Sequence, residues 1–207
     1  MKNAILLQQA WDGNVAGLGD YRLMLELTRQ RNEEYCKQHR FDFWPLVGTL
    51  DPKYSDVKRG GWVKIEMILD AMQKGYKYIV WLDPDTLIKD LEEDLRNGCD
   101  GIGACWHRIP QLNHWNVGAL YIENSDEAYE FTKDWLKAFP GERQWMEQGE
   151  FNKLAMKRTI VKTISDRWNS TLNYSMVPDA VVLGFHGNGD GVARLKMIQD
   201  ALKVLEA

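Results

Sequence analysis

The sequence predicts an α/β fold in which a single, mostly parallel β-sheet is flanked by helices. Strand-like and helix-like segments alternate along the whole chain of 207 residues, as they do in proteins with parallel sheets. The clearest passage begins with Ile65, Ile68, Leu69 and Met72, which recur at helical spacing. Gly75 then falls where a helix ends, and residues 78–82 form a continuous apolar run. Such a run is typical of a strand buried on both faces.

The first part of the chain contains further elements of both kinds. Apolar runs indicate strands, and apolar residues at helical spacing indicate helices. We predict a strand at 4–7, a Gly-rich loop at 12–19, a helix from 18 to about 39, a strand at 41–47 and a loop at 48–61.

The same pattern continues beyond residue 90. Ser125 is suited to cap a helix because its hydroxyl can accept a hydrogen bond from the first turn. We predict a short helix at 91–96, strands at 101–106 and 117–122, a helix after Ser125, a helix at 147–157, strands at 159–164 and 180–185, and a closing helix to 205. With no repeat and no linker-like stretch, we expect one domain over residues 1–207.

Composition excludes several classes of protein. The formal net charge of -4 argues against general affinity for duplex DNA. No apolar run approaches the roughly 20 residues that a membrane span needs, and the N-terminal run is too short for a signal peptide. The three cysteines are odd in number and lack C-x-x-C spacing, which predicts free thiols in a reducing compartment. We therefore expect a cytoplasmic protein without a membrane span.

Two carboxylates directly follow the buried strand at 78–82, in the segment Asp83-Pro84-Asp85-Thr86. In α/β proteins, ligands bind beyond the carboxyl ends of the strands. Two acidic side chains so close together repel each other unless a cation lies between them, and Pro84 stiffens the turn that presents them. A hard divalent cation is the natural partner for this pair. The alternative is an Asp-rich turn that caps the next segment.

Two enzyme classes carry acidic pairs at this position. In haloacid-dehalogenase phosphatases the motif is D-x-D-x-T, whereas here Thr86 follows Asp85 directly and Leu87 occupies the threonine position. The register therefore disagrees with that class. The second class consists of the metal-dependent glycosyltransferases of the GT-A fold, whose D-x-D motif holds Mn²⁺ against a nucleotide-sugar diphosphate.

Several segments resemble the galactosyl/mannosyl/xylosyltransferase family of that second class. Residues 62–88, WVKIEMILDAMQKGYKYIVWLDPDTLI, are similar to its signature, in which a W-x-K-I helix precedes a strand ending in W-L-D-x-D. Four later segments resemble family elements in the expected order: WNVGALYIEN at 115–124, EQGEFNKL at 147–154, RWN at 167–169 and GFHGNG at 184–189. The resemblance covers roughly residues 60–190 and implies the GT-A, or nucleotide-diphospho-sugar transferase, fold with its Rossmann-like sheet.

The resemblance implies a metal site made of Asp83, Asp85 and His186. Asp85 would ligate the metal directly, whereas Asp83 would bind it through water or bind the ribose of the donor. Because an imidazole ligand suits Mn²⁺ better than Mg²⁺, we expect manganese, with magnesium as the alternative. For His186 alone, a hydrogen-bonded turn histidine is the competing interpretation.

Other residues are candidates for binding the nucleotide part of the donor. Trp11 and Asp12 follow the first strand and could contact a nucleobase, although Trp11 could equally pack in the core. Lys64 could offset the charge of the diphosphate or be an ordinary surface charge. Gly187 and Gly189 would allow the backbone to approach phosphate closely.

The resemblance places Asn116 and Gln148 beside the donor sugar. It also implies that the anomeric configuration is retained, although no residue by itself requires this. An inverting enzyme would need a carboxylate base that faces the acceptor, and Glu147 or Glu150 could serve.

The sequence therefore predicts a metal-dependent glycosyltransferase that moves a hexose or pentose from a UDP- or GDP-sugar to an acceptor hydroxyl. The acceptor is open, since a glycan, lipid, protein, small molecule or modified nucleic-acid base would be compatible, and so is the oligomeric state. Two other classes stay open as well: a haloacid-dehalogenase-like phosphohydrolase, and a non-catalytic module that binds nucleotide sugars or carbohydrates.

Overall fold

The computed structural model describes residues 2–11, 14–15, 19–49, 61–109, 112–141, 146–172, 175–187 and 190–206. In the first half of the chain the elements are β1 (Lys2–Ala10), β2 (Asn14–Val15), β3 (Gly19–Asp20), α1 (Tyr21–His39), β4 (Phe41–Val47), α2 (Val63–Gln73), β5 (Tyr76–Leu82) and β6 (Thr86–Ile88). The second half contributes β7 (Ile102–Ile109), β8 (Leu112–Glu123), α3 (Asp126–Lys137), α4 (Met146–Ala155), β9 (Val161–Ile164), β10 (Ser170–Thr171), β11 (Val182–Gly184) and α5 (Gly191–Leu205).

A six-stranded sheet in the order β4-β1-β5-β8-β7-β9 forms the centre of the protein. Strands β4, β1 and β5 are mutually parallel, and so are β7 and β9. Strand β8 lies antiparallel to both of its neighbours, β5 and β7. The sheet is therefore mostly parallel, as predicted, and carries one reversed strand at its centre.

Apolar side chains cover both faces of this sheet. On one face, α2, α3 and α4 bury a cluster around Trp62, Trp81 and Trp135, each at most 1% exposed. On the opposite face, Tyr35 of α1 packs with Tyr121 of β8 and other apolar residues. A third cluster joins α5 to α1. Helices on both faces of a mostly parallel sheet are the arrangement that the sequence pattern predicts.

Most of the predicted elements are confirmed, some with the same boundaries. Strand β4 spans the predicted residues 41–47. Helix α1 ends at Arg40, which adopts the left-handed conformation and donates its N–H to the carbonyl of Cys36. Helix α2 is followed by Gly75, whose positive φ of 80° is tolerated by glycine. The described residues contain no helix long and apolar enough to cross a membrane.

Two predictions require correction. The helix predicted at 91–96 is wrong: a 3₁₀ helix spans Leu95–Gly98, begun by the Asp94 side chain, which accepts a hydrogen bond from the backbone N–H of Arg96. The strand predicted at 180–185 shortens to β11, which lies outside the main sheet. It pairs antiparallel with β6 and parallel with β10 in a separate three-stranded sheet, because β6 offers it an edge directly after the Asp83–Asp85 turn.

Helix α3 provides a test of local stability. The Ser125 side chain accepts a hydrogen bond of 3.2 Å from the N–H of Ala128, and Asp126 and Glu127 lie in the first turn. We predict that Ser125→Ala lowers the free energy of unfolding by about 1 kcal/mol, as loss of an N-cap usually does, in urea denaturation followed by circular dichroism. Ser125→Thr, which keeps the hydroxyl, should lose clearly less; equal losses in both variants would contradict the capping role.

Candidate active site

Asp83 lies at the carboxyl end of β5 and is held there by three elements. The indole N–H of Trp81 donates a hydrogen bond of 2.7 Å to Oδ1 of Asp83. The backbone N–H of Asp83 donates to the carbonyl of Gly118 on β8, at 2.7 Å. The carbonyl of Asp83 in turn accepts bonds from the N–H and the hydroxyl of Thr86, which closes the turn. The side chain of Asp83 stays 31% exposed, so it is fixed in place but accessible.

Lys64 of α2 is buried beneath this turn. Its Nζ lies 3.1 Å from Oδ1 of Asp83 and 3.5 Å from Oε1 of Glu147, and it donates a bond of 3.0 Å to the carbonyl of Val117. Three acceptors thus match the three N–H groups of the ammonium ion. Lys64 therefore orients Asp83 and Glu147 from below and is not an exposed charge on the surface.

Burial shapes the protonation of this cluster. Removal from water raises the pKa of Asp83, and the nearby Asp85 raises it further, while Lys64 opposes both. Burial likewise raises the pKa of Glu147. Burial alone would lower the pKa of Lys64, but the two carboxylates outweigh it and the net direction is upward. Lys64 is therefore charged at neutral pH.

A cavity of about 200 Å³ opens above this cluster. Its lining includes Trp11 and Gln9 from the end of β1, Tyr21 at the start of α1, and the Lys64–Asp83–Glu147 group. Gly61 also lines the cavity. A Cβ at Gly61 would lie 2.1 Å from the carboxylate of Glu147, so a glycine here leaves room for that side chain.

The side chain of Asp85 contacts the C-terminal helix. Its Oδ2 accepts a bond of 2.8 Å from Nη1 of Arg194 on α5, and both side chains are less than 10% exposed. The guanidinium lies over the ring of Tyr21, 5.6 Å from its centroid, and 3.5 Å from its hydroxyl. Arg194 therefore connects Asp85 to a wall of the cavity.

His186 lies in a polar cluster with residues of β8 and β7. Its Nε2 is 3.2 Å from Nδ2 of Asn116, and its ring stacks on that of His107 at a centroid distance of 5.1 Å. The Oδ1 of Asn116 accepts bonds from the N–H of Gly118 and from Nδ2 of Asn169. Burial lowers the pKa of His186 to about 4 and that of His107 to about 3, so both imidazoles are neutral at pH 7.

A bulge in β8 makes these contacts possible. Pairing with β7 jumps from Leu120, opposite Ala104, to Trp115, opposite Trp106. Residues 116–119 are thereby released from regular pairing with β7, as is common next to functional sites. Within this stretch, the N–H of Val117 donates to Oε1 of Gln148 on α4, at 3.2 Å. Asn116 therefore lies in this short segment of β8, and Gln148 contacts the same segment from α4.

The predicted ligand set suits a divalent cation in its chemistry. It offers two carboxylates and an imidazole that is neutral, as a metal ligand must be. Over the described part of the chain, however, no three His, Cys, Asp or Glu side chains are already gathered to hold a metal ion. At Asp85 the reason is that its carboxylate already forms an ion pair with Arg194. The residues fit a metal provided that this ion pair opens.

The structure thus brings most of the predicted site residues to one edge of the sheet. Gly187 follows His186 with a φ of 72°, a conformation that favours glycine. Asp12 and Gly189 lie outside the described residues.

Sequence reasoning missed Tyr21 and Arg194. For Arg194 a signal existed, since it precedes Ile198 by four residues on the buried side of an amphipathic helix.

Comparisons with known proteins bear on the fold and on the class of the protein. Residues 2–98 match the galactosyl transferase GMA12/MNN10 family, and no curated protein has a significant match. A solved glycosyltransferase involved in glycosylation of the major capsid of PBCV-1 superposes with a TM-score of 0.69 and 14% identity, over 95% of this chain and 99% of that one. Mouse xyloside xylosyltransferase 1 in its apo form gives 0.53 and 12%, over 90% and 99%.

At such low identities the two structures establish the fold, which is that of the GT-A glycosyltransferases. The family match over residues 2–98 adds the class of enzyme. The protein is a glycosyltransferase that resembles the galactosyl transferase GMA12/MNN10 family.

The raised pKa of Asp83 yields a prediction about stability. The folded protein binds this proton more tightly than the unfolded chain does, where the pKa is near 3.8. The stabilising contribution is therefore complete at low pH and is lost as pH rises through the raised folded pKa. We predict that Asp83→Asn gains stability relative to the wild type as pH increases from about 4 to about 8. Urea unfolding at each pH measures this difference.

Asp134→Asn provides a matched control with the opposite sign. Hydrogen bonding to Lys137 lowers the pKa of Asp134, so its contribution is present at neutral pH and is lost as the solution is acidified. This variant should lose stability relative to the wild type as pH rises toward about 4, and the difference should then stay level up to about pH 8, because Asp134 is ionised in both the folded and the unfolded chain over that range. The same pH trend in both variants would contradict the assignment at Asp83.

Proposed function

We propose that the protein transfers a hexose or pentose from a UDP- or GDP-sugar to an acceptor hydroxyl, that it requires a divalent cation, and that it retains the anomeric configuration. The observation that carries the proposal is the placement of Asp83. Its carboxylate follows a buried strand and is held by Trp81 and Lys64, but it is still accessible. It borders a cavity beyond the carboxyl end of that strand. This is where α/β enzymes bind nucleotides.

In this proposal the nucleotide occupies the cavity. Trp11 offers a flat apolar surface on which a nucleobase can stack. Asp83 faces the ribose or the metal. The Lys64 ammonium neutralises part of the local negative charge from beneath, and so lets a carboxylate remain in a buried position close to an anionic ligand.

The metal, manganese or alternatively magnesium, would be held by Asp83, Asp85 and His186. It would supply the positive charge that stabilises the diphosphate as it leaves the sugar. His186 is prepared for this role because its imidazole is neutral and is oriented by contacts with Asn116 and Thr171. Such neighbours fix the ring of a ligating histidine.

The sugar would lie between Asn116 and Gln148. Both side chains are anchored to the bulged segment of β8, Asn116 through the N–H of Gly118 and Gln148 through the N–H of Val117. Groups held in this way are suited to fix the orientation of the sugar relative to the leaving group.

Retention of configuration is supported by the state of the two carboxylates that could serve as an inverting base. Glu147 is tied to Lys64, and Glu150 lies 3.0 Å from Nζ of Lys153. A base that activates the acceptor needs a carboxylate directed at the acceptor and close enough to take its proton. Neither ion-paired carboxylate is arranged for that task.

A panel of sugar nucleotides tests the donor and the metal. We expect at least one UDP- or GDP-sugar to be hydrolysed slowly in the presence of Mn²⁺, and EDTA to abolish this turnover. Asp83→Ala should lower the rate by about 100-fold or more, as loss of an electrostatic group at a reacting centre does. Asp134→Ala, which removes a carboxylate that pairs with Lys137 on α3, should leave the rate unchanged. Turnover of simple phosphate esters without sugar nucleotides would instead indicate a phosphohydrolase.

The stereochemistry can be measured in the same reaction. We predict that the sugar first released has the anomeric configuration of the donor, observed by proton NMR before mutarotation. Glu147→Gln should slow the reaction but give the same anomer, because the carboxylate is not the base. Release of the opposite anomer by the wild type would contradict the retaining proposal.

A further inference from the structure

We propose that Arg194 is the counter-ion of Asp85 in the donor-free enzyme, and that a divalent cation binds at Asp85 only when a donor diphosphate takes over the guanidinium. This inference rests on the proposed function, since it concerns the metal and the donor of the same site. It makes Arg194 a residue that couples metal binding to donor binding.

The first argument is the geometry of the ion pair. The guanidinium donates to Oδ2 of Asp85 at 2.8 Å, and the two side chains are 8% and 5% exposed. Two buried, oppositely charged groups at this distance attract each other strongly, because little water screens them. A metal ion that approached Asp85 would have to displace Arg194 and would also be repelled by its positive charge. Asp85 alone is therefore a poor ligand for a free metal ion.

The second argument is the position of Arg194 relative to the cavity. Its guanidinium rests on Tyr21, whose side chain lines the cavity together with Trp11 and Asp83. A rotation of the long arginine side chain can therefore carry the charge from Asp85 to an anion in the cavity without movement of α5. Guanidinium groups bind phosphate oxygens in a bidentate manner, which makes a diphosphate a suitable new partner.

These two steps make the binding of metal and diphosphate mutually favourable. The diphosphate removes Arg194 from Asp85 and so frees the carboxylate for the metal, and the metal, once bound, keeps Arg194 directed at the diphosphate. By linkage, each ligand must strengthen the binding of the other by the same factor.

The competing explanation is that Arg194 only fastens α5 to the Asp83–Asp85 turn. The two explanations predict opposite effects of the same substitution. If Arg194 competes with the metal, then Arg194→Gln exposes Asp85 and metal binding without nucleotide becomes tighter. If Arg194 only supports the turn, its removal disorders the ligands and metal binding becomes weaker.

The experiment measures Mn²⁺ binding to the purified full chain by electron paramagnetic resonance of the free ion, without any nucleotide. We expect Arg194→Gln to bind Mn²⁺ about 10-fold more tightly than the wild type, within the usual range of coupling between sites. Arg194→Lys keeps a positive charge and should bind Mn²⁺ as weakly as the wild type. The proposal would be overturned if Arg194→Gln bound Mn²⁺ no more tightly than the wild type does. It would also be overturned if Arg194→Lys bound Mn²⁺ as tightly as Arg194→Gln does.

A second measurement follows the coupling itself. UDP and, in parallel, GDP are titrated with and without Mn²⁺ by calorimetry. Whichever nucleotide binds the wild type should tighten Mn²⁺ binding, whereas in Arg194→Gln this gain should be largely lost. Arg158→Gln removes an exposed arginine that pairs with Asp134 and should behave as the wild type does. An undiminished gain in Arg194→Gln would also overturn the proposal.

Thermal unfolding of every variant shows whether α5 stays in place. Even if the glutamine variant unfolds, tighter Mn²⁺ binding by Arg194→Lys than by the wild type would overturn the proposal. The outcomes also separate this inference from the proposed function. If the wild type hydrolyses a sugar nucleotide but Mn²⁺ binds the wild type and Arg194→Gln equally well, only the role of Arg194 fails. If no sugar nucleotide is turned over, the proposed function fails, whereas the metal titrations still report on Arg194.

Discussion

The buried ammonium group of Lys64 is the interaction on which the site depends. It connects four elements, since the lysine belongs to α2 and its partners are Asp83 after β5, Val117 on β8 and Glu147 on α4. Without this charge, the buried carboxylate of Glu147 and the partly buried carboxylate of Asp83 would repel each other with little screening, and the turn that presents Asp83 would lose its support. The position of the site thus follows from one cation placed beneath the edge of the sheet.

The same arrangement holds side chains of the site in place before any ligand binds. Asp83 receives bonds from an indole and an ammonium ion, and the bulged segment of β8 is held by Asn116 and Gln148. Side chains fixed in this way need little reordering when a donor arrives, which favours binding and orientation. The raised pKa values of Asp83 and Glu147 show that ionising these carboxylates in the folded protein costs stability. Such a compromise is often found at functional sites.

The sequence predicts local features well and long-range pairing poorly. Strand β4, the cap at Ser125 and the Asp83–Asp85 turn after a buried strand follow from periodicity and turn chemistry, which act over a few residues. The reversal of β8 and the placement of β11 in a separate sheet depend on which edges are available in the folded protein. Likewise, the contact of Arg194 with Asp85 joins residues 109 positions apart, and no local pattern specifies a partner at that separation.

The charges of the site explain why we expect a metal cation in addition to the lysine and arginine that the chain supplies. When all are ionised, three carboxylates, those of Asp83, Asp85 and Glu147, meet two cations, Lys64 and Arg194. His186 adds no charge at neutral pH. The protein alone therefore has a slight excess of negative charge where a diphosphate, itself an anion, would bind. In the mechanism that we propose, the diphosphate would draw Arg194 away from Asp85 and leave a carboxylate that a divalent cation would neutralise.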